Sequence, residues 1–230
     1  MRVFRHTNLI FASNTYILAN KDNDSCYVVD PGDSQPVVEW LNLHNMGLSG
    51  ILLTHAHFDH IYGLNDLLDK FPKTSLFITP SMVSGLFSIK LNTSYYHEKP
   101  YVLKEIYSDN FIFLQEGNGQ MLWDDENIFV LYTPGHTLDS TSIQIGNLLF
   151  SGDSLIPGLK VFRRKNMSDS EAIVRSLEKI YCTFADSIIL LPGHGKDILL
   201  GESKHQINFN ISEDIAGFTE IKTDRSSLQT

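Results

Sequence analysis

The chain of 230 residues contains only two cysteines, Cys26 and Cys182. They form no CxxC pair and are too few for a disulfide framework, so a small stapled scaffold is excluded and reduced thiols are expected. No apolar stretch approaches the roughly 20 residues of a membrane-spanning helix. The opening residues Met1-Arg2-Val3-Phe4-Arg5-His6 lack the apolar core of a secretion signal. Positive charge is also scarce: 18 lysines and arginines face 27 acidic residues, a formal net charge of -9. A nucleic-acid partner, which favours a broad basic face, is therefore not expected. Repeats, low-complexity runs and linker-like segments are missing as well. These absences together predict a soluble cytoplasmic protein with no membrane partner. With 42% hydrophobic and 20% charged residues, the composition is that of a chain that buries a core.

What the chain does have is a dense stretch of metal-binding side chains, Thr54-His55-Ala56-His57-Phe58-Asp59-His60. The apolar run Gly50-Ile51-Leu52-Leu53 enters it and a helix-like run from Gly63 to Lys70 leaves it. Imidazole and carboxylate at this density, at a strand end, suit a borderline divalent metal such as zinc.

Period and turn signals place the other elements. Strands are predicted over Val3 to Phe11, Thr15 to Ala19, Cys26 to Asp30 and Ile51 to Leu53, with a Ser13-Asn14 turn between the first two. Ser34 is expected to cap a helix through Val37, Val38, Trp40, Leu41 and Leu43. Gly63 to Phe71 and Pro80 to Ser88 read as helices and Ser75 to Ile78 as a strand. Further strands are expected at Phe111 to Leu114, Gln120 to Trp123 and Ile128 to Tyr132, around turns at Gly117-Asn118-Gly119 and Asp124 to Asn127. Thr141 to Ile145 and Leu148 to Phe150 form a hairpin around Gly146-Asn147. Ser168 begins a helix with Glu171 completing a capping box. Ser187 to Leu191 is a buried strand, and Gly201 to Phe209 a last helix. Residues 1–210 are expected to form one domain of two β-rich halves packed face to face, with helices outside. Residues 211–230 read as a polar tail. The tyrosine-rich segment 89–108 is either a cap over the site or a surface loop packing its own aromatics.

Four places share one arrangement, in which a strand ends, a tight turn follows and a metal-type side chain projects. They are His55/His57/Asp59/His60, then His136, Asp153 and His194. Glycine or proline flanks the last three (Pro134 and Gly135; Gly152; Pro192, Gly193 and Gly195), which lets the backbone bend so that one side chain enters a shared pocket. Five of the nine histidines lie at these four places.

With these motifs in hand, the sequence resembles the metallo-β-lactamase superfamily. The resemblance rests on Thr54 to His60, Thr133-Pro134-Gly135-His136-Thr137, Ser151-Gly152-Asp153-Ser154 and Leu191-Pro192-Gly193-His194-Gly195. It also takes in Asp30-Pro31-Gly32-Asp33 and Gly201-Glu202-Ser203-Lys204. It implies an α+β fold, the αββα four-layer sandwich, with a metal site at one edge of the two packed sheets. By matching position it implies that His55, His57 and His136 hold one divalent ion and Asp59, His60 and His194 a second, with Asp153 bridging them. It further implies a metal-bridging hydroxide as the attacking group, with Asp59 also placed to shuttle a proton. Zinc is the implied metal, with iron and manganese as alternatives.

Within the superfamily the chain looks most like short glyoxalase II-type thioesterases, because an aspartate follows Gly152 where the antibiotic-hydrolysing zinc β-lactamases use a cysteine. The implied partner is a small, anionic thioester. A lactonase or other ester hydrolase, an iron-dependent persulfide dioxygenase, and a phosphodiesterase or ribonuclease of the same superfamily are the alternatives. The chain departs from the family pattern in having one glycine after His60, at Gly63, and in the loop after Asp153. No counterpart of the glutathione-binding C-terminal domain of long glyoxalases is expected. Lys160, Arg163, Arg164 and Lys165 are either a grip on an acidic substrate or a solvated loop, and Tyr62 either lines the pocket or packs in the core.

Overall fold

The computed structural model describes residues 1–20, 22–123, 126–158 and 169–206. Its strands form two six-stranded sheets. The first runs, in spatial order, β1 (Arg2–Thr7), β2 (Asn14–Ala19), β3 (Ser25–Val29), β4 (Gly47–Leu52), β5 (Ser75–Ile78) and β6 (Phe111–Phe113). Its first three strands pair antiparallel and β3 to β6 pair parallel. The second runs β7 (Gly117–Trp123), β8 (Glu126–Tyr132), β9 (Thr141–Ile145), β10 (Leu148–Gly152), β11 (Ile189–Pro192) and β12 (Ile198–Leu199). Here β10 and β11 are parallel and every other pair is antiparallel.

The strands read as unbroken apolar runs because both faces of each sheet are covered, and successive side chains point to opposite faces. In β2, Tyr16 and Leu18 join the layer between the sheets, while Ile17 and Ala19 face the opposite way. In β10, Leu148 and Phe150 enter the inter-sheet layer and Leu149 the outer one. Outside the first sheet lie α1 (Ser34–His44) and α2 (Leu64–Lys70), which bury Val37, Leu41, Leu64, Leu67 and Leu68. Outside the second lies α3 (Ser170–Thr183), which buries Ile173, Leu177 and Ile180. Three apolar layers between four structural layers make the expected αββα sandwich. No described helix is long and apolar enough to cross a membrane.

Several local expectations are corrected. Strand β1 stops at Thr7, and residues 8–13 form a loop in which Phe11 and Ala12 adopt left-handed backbone (φ 51° and 54°). Asp33, not Ser34, occupies the cap position of α1, and the Ser34 hydroxyl instead donates to Asp66 at 2.9 Å. Gly117 and Asn118 are not a turn, because they pair with Val130 and Phe129 within β7. The Pro80 to Ser88 helix splits into a 3₁₀ turn at Pro80–Met82 and a single turn at Val83–Leu86. Helix α3 starts at Ser170, where Asp169 caps it by accepting from the Ala172 N–H at 3.1 Å; Ser168 lies outside the described residues. The last helix is shorter than expected, Leu200–Ser203 with a 3₁₀ turn to Gln206, and β12 before it was not foreseen. Residues 207–209, the 211–230 tail and Asp124-Asp125 lie outside the described residues.

Phe150 is fully buried between the sheets, its ring 5.4 Å from that of Tyr16 in an edge-on contact. Phe150→Ala should therefore lower unfolding stability by about 3–5 kcal/mol. Leu43→Ala, at a position 81% exposed, should change it by less than about 0.5 kcal/mol. Urea melts of the two variants check this, and equal midpoint shifts would contradict the layer assignment.

Candidate metal centre

Strands β8, β10 and β11 run in the same direction, so their carboxyl ends fall on one edge of the second sheet. His136 follows β8, Asp153 follows β10 at once and His194 follows β11. From the first sheet, β4 ends at Leu52 and leads into His55 and His57. A single helical turn, Phe58–Ile61, then carries Asp59 and His60. Period-based reading expected no helix at these residues and began one only at Gly63. Asp59 and His60 are adjacent in a turn whose first residue follows His57, which is how three nearby side chains diverge toward one centre.

The side chains converge closely. The His136 and His57 rings meet at 2.8 Å between Nε2 and Nδ1. Asp153 Oδ2 lies 3.5 Å from His136 Nε2 and 3.4 Å from His194 Nε2, and its Oδ1 lies 3.5 Å from His60 Nε2. Asp59 Oδ2 is 3.5 Å from His60 Nε2 and 3.4 Å from His194 Nε2. Among the described residues three groups have ligand atoms all within 4.8 Å of one another: Asp30/His55/His60, and the facing pair His55/His57/His136 and Asp59/His60/His194. Asp153 stands between them.

Electrostatics distinguish the two groups. Burial holds the His57 imidazole down at about 3 and His55 well below its ordinary range, reinforced by neighbouring imidazoles, so both are neutral lone-pair donors. Burial also works against charge on His60 and His194. There the carboxylates of Asp59 and Asp153 outweigh it, and the imidazoles rise to about 9 and about 10. Burial likewise opposes ionisation of Asp153, but the surrounding histidines hold its carboxyl well below the usual range. Protons on two imidazoles thus balance two buried carboxylates where a cation would otherwise do so.

The donor set fits divalent metal. His55 Nε2, His60 Nε2 and Asp153 Oδ1 are buried and make no hydrogen bond. Buried polar atoms are almost always partnered, and three unpartnered donor atoms within one cluster are what residues suited to metal ions present. Room for it is preserved by glycine: a Cβ on Gly193 would lie 2.1 Å from Asp153 Oδ1. Gly152 combines a φ of 50° with a Cβ direction that would strike Thr54 Oγ1 at 2.3 Å. Neither position admits a side chain without displacing the site.

Sequence reasoning missed the groups that orient these side chains. Asp30 Oδ1 accepts the Thr54 N–H at 2.9 Å, and its Oδ2 accepts the Thr54 hydroxyl at 2.6 Å and faces His60 Nδ1 at 3.1 Å. With both oxygens engaged, Asp30 steers His60 rather than offering itself to an ion. The signal was present, since Asp30 follows a strand just as Asp153 does. Partly buried Asp139, its pKa raised by desolvation, accepts the N–H of Ala56 between His55 and His57 at 3.1 Å. The Ser13 hydroxyl donates to the Asp59 carbonyl at 2.7 Å, and Asn14 Nδ2 donates to the carbonyls of Pro192 and Gly195, each at 3.0 Å. These long-range ties have no local sequence pattern.

A cavity of about 470 Å³ opens over the cluster, with His57, Asp59, His136, Asp153 and His194 in its wall. Thr93, Tyr96 and His97 of the 89–108 segment also line it. Tyr62 stands one layer back, its ring packed 5.7 Å from those of His97 and Tyr101. Lys160, Arg163, Arg164 and Lys165 lie outside the described residues.

A four-layer sandwich with a buried histidine–aspartate cluster on its edge defines a class of metal-binding proteins. The chain belongs to the Metallo-beta-lactamase superfamily, whose sequence model matches residues 10–194. It is 29% identical over 189 residues to the hydroxyacylglutathione hydrolase of Pseudoalteromonas translucida (strain TAC 125), covering 74% of this chain and 61% of that protein. It is 32% identical over 143 residues to the protein of the same name from Aeromonas hydrophila subsp. hydrophila, covering 62% of this chain and 47% of that one. The chain thus spans less than two thirds of these relatives' length. Among solved structures, the BLEG-1 B3 metallo-beta-lactamase superposes with a TM-score of 0.78 at 25% identity, covering 89% of this chain and 98% of that one. TTHA1623 in a di-iron-bound form gives 0.72 at 22% identity, covering 88% and 98%.

Asn tolerates the left-handed backbone of Asp30 (φ 50°), so Asp30→Asn should fold. It loses one of the two acceptor oxygens, and metal affinity should fall roughly 10–100-fold. Competition against a chromophoric chelator, alongside an unchanged circular dichroism spectrum, checks this. Wild-type affinity would remove the orienting role.

Proposed function

We propose that the protein is a dinuclear metal-dependent thioesterase of hydroxyacylglutathione hydrolase type, acting in the cytoplasm on a small thioester. The observation that carries this reading is the pair of three-residue clusters, His55/His57/His136 and Asp59/His60/His194, facing each other across Asp153 on the wall of an open cavity. Both clusters being assembled favours two ions over the single iron of a persulfide dioxygenase. Zinc suits the mixed imidazole and carboxylate donors.

Bound at these residues, the ions would supply Lewis acidity toward a carbonyl and lower the pKa of water to near neutrality. The chain's own groups do the rest. Neutral His55 and His57 donate lone pairs without bringing charge into the site. Asp59, ionised and on the cavity wall, can take a proton from water and pass it on. Asp30 and Asp139 hold the ligand-bearing turns from behind, through Thr54, His60 and Ala56. In the reaction the acyl carbon–sulfur bond breaks and a carbon–oxygen bond to water forms. One proton of water ends on the thiol and the acid product loses the other. No cysteine or serine nucleophile is required: Cys26 is buried in the outer layer of the first sheet, and Cys182 lies on the surface at the end of α3.

Metal analysis of the purified full chain should give two ions per molecule, and chelation should abolish thioester hydrolysis. Asp153→Ala should lower occupancy of both sites together and cut activity more than about 100-fold, beyond the 10–100-fold typical of groups behind the ligands. His136→Ala should mainly disturb the first site. Wild-type metal content in Asp153→Ala would rule out bridging. Absence of thioester turnover by metal-loaded protein, with turnover of lactones or phosphodiesters instead, would replace the substrate class.

A further inference from the structure

The wall of the cavity away from the histidine–aspartate cluster is aromatic. Phe11 and Phe58 meet edge-on at 5.4 Å and 83°, and Phe58 lies 5.2 Å from the His97 ring. Tyr96 completes this side. Phe11 and Tyr96 are 69% and 73% exposed, so two large rings stand at the mouth with most of their surface open to solvent. A cavity of about 470 Å³ is within the range that encloses most of a ligand of many heavy atoms. A short acyl group would fill little of it.

The chain holds this wall in place against its own backbone preferences. Phe11 and Ala12 are consecutive non-glycine residues in the left-handed region, and Thr93, β-branched, sits there too (φ 68°). Strain of this kind persists where the surroundings over-determine it, and here they do. Ser13, next to Phe11 and Ala12, is fully buried and bonded to the Asp59 carbonyl. Next to Thr93, the buried Asn92 accepts the Phe58 N–H at 2.8 Å with its backbone carbonyl and donates from Nδ2 to the Tyr101 carbonyl at 2.8 Å. The Ser94 N–H donates to Asn92 Oδ1 at 2.9 Å, and the Ser94 hydroxyl accepts the Tyr101 N–H, also at 2.9 Å. Segment 92–101 is therefore a braced wall whose backbone is tied directly to the turn carrying Asp59 and His60.

We infer that this cavity receives a planar apolar ring of the substrate, held between Phe11, Phe58 and Tyr96 beside the bond that is cleaved. Resting on the thioesterase reading, the preferred substrate is a ring-bearing thioester rather than one with a short polar acyl group. Edge-on and offset contacts with the three rings reward a planar apolar group beyond its area alone. The ring can sit on the acyl side or on the thiol side of the sulfur, and both place the same chemistry in the pocket.

The test uses metal-loaded full-length protein and two substrate pairs. Phenylacetyl against acetyl N-acetylcysteamine probes the acyl side, and acetyl benzyl mercaptan against acetyl ethanethiol probes the thiol side. A preference in kcat/KM of at least about tenfold for the ring is expected in one pair, and that pair identifies the side. Phe11→Ala and Tyr96→Ala, at exposed positions that tolerate substitution, should each reduce the preference about 3–10-fold with unchanged metal content. Equal rates within both pairs, or a preference that survives both variants, overturns the inference. Binding of the inert thioether benzyl ethyl sulfide, followed by tyrosine fluorescence and by heteronuclear NMR, separates this result from the proposed activity. Binding that weakens in both variants, without any thioester turnover, would retain the ring pocket and remove the thioesterase. Turnover without ring preference would do the reverse, and neither binding nor turnover would remove both.

Discussion

Five imidazoles and two carboxylates are packed into one largely buried cluster. Burying a charge is costly unless an opposite charge or a metal accompanies it. The protein meets this constraint by alternation: neutral His55 and His57 on one side, the His60 and His194 imidazoles against Asp59 and Asp153 on the other. The rest of the structure serves to hold that balance. The sandwich brings four strand ends to one edge, Gly152 and Gly193 leave the space open, and Asp30 turns His60 toward the centre.

The same edge concentrates backbone strain. Five described non-glycine residues have left-handed φ: Phe11, Ala12, Asp30, Asn45 and Thr93. Asn45 ends α1, where that conformation satisfies the last carbonyls. The other four border the site. Each is braced by buried hydrogen bonds at or beside it, to Ser13, Thr54, Asn92 or Ser94. Stability invested in the three apolar layers thus supports conformations that a loop alone would abandon.

Much of the fold was legible because short apolar runs and glycine turns are local signals. Ser75–Ile78 and the hairpin at Gly146-Asn147 have the bounds or the turn that their residues imply. Errors fell where a local signal was overruled by pairing. Gly117 and Asn118 resemble a turn, yet partners across β8 draw them into a strand. Ser34 resembles a cap, yet Asp66 takes its hydroxyl. Seven metal-type residues were legible from motif and spacing. Asp139 was not, because its partner, the Ala56 N–H, is 83 positions away.

By itself the sequence determined the inventory: which donor groups exist, that each follows a strand and a tight turn, and that covered sheets with outer helices would bury the apolar runs. These follow from alternation and turn chemistry, which act over a few residues. Only the tertiary structure decided that those donors come within a few ångströms of one another, that Asp30 turns its oxygens to Thr54 and His60, and that Phe11 meets Phe58 across 47 positions. Those facts depend on the stacking of two sheets, and no short-range preference encodes how distant strand ends come to lie a few ångströms apart.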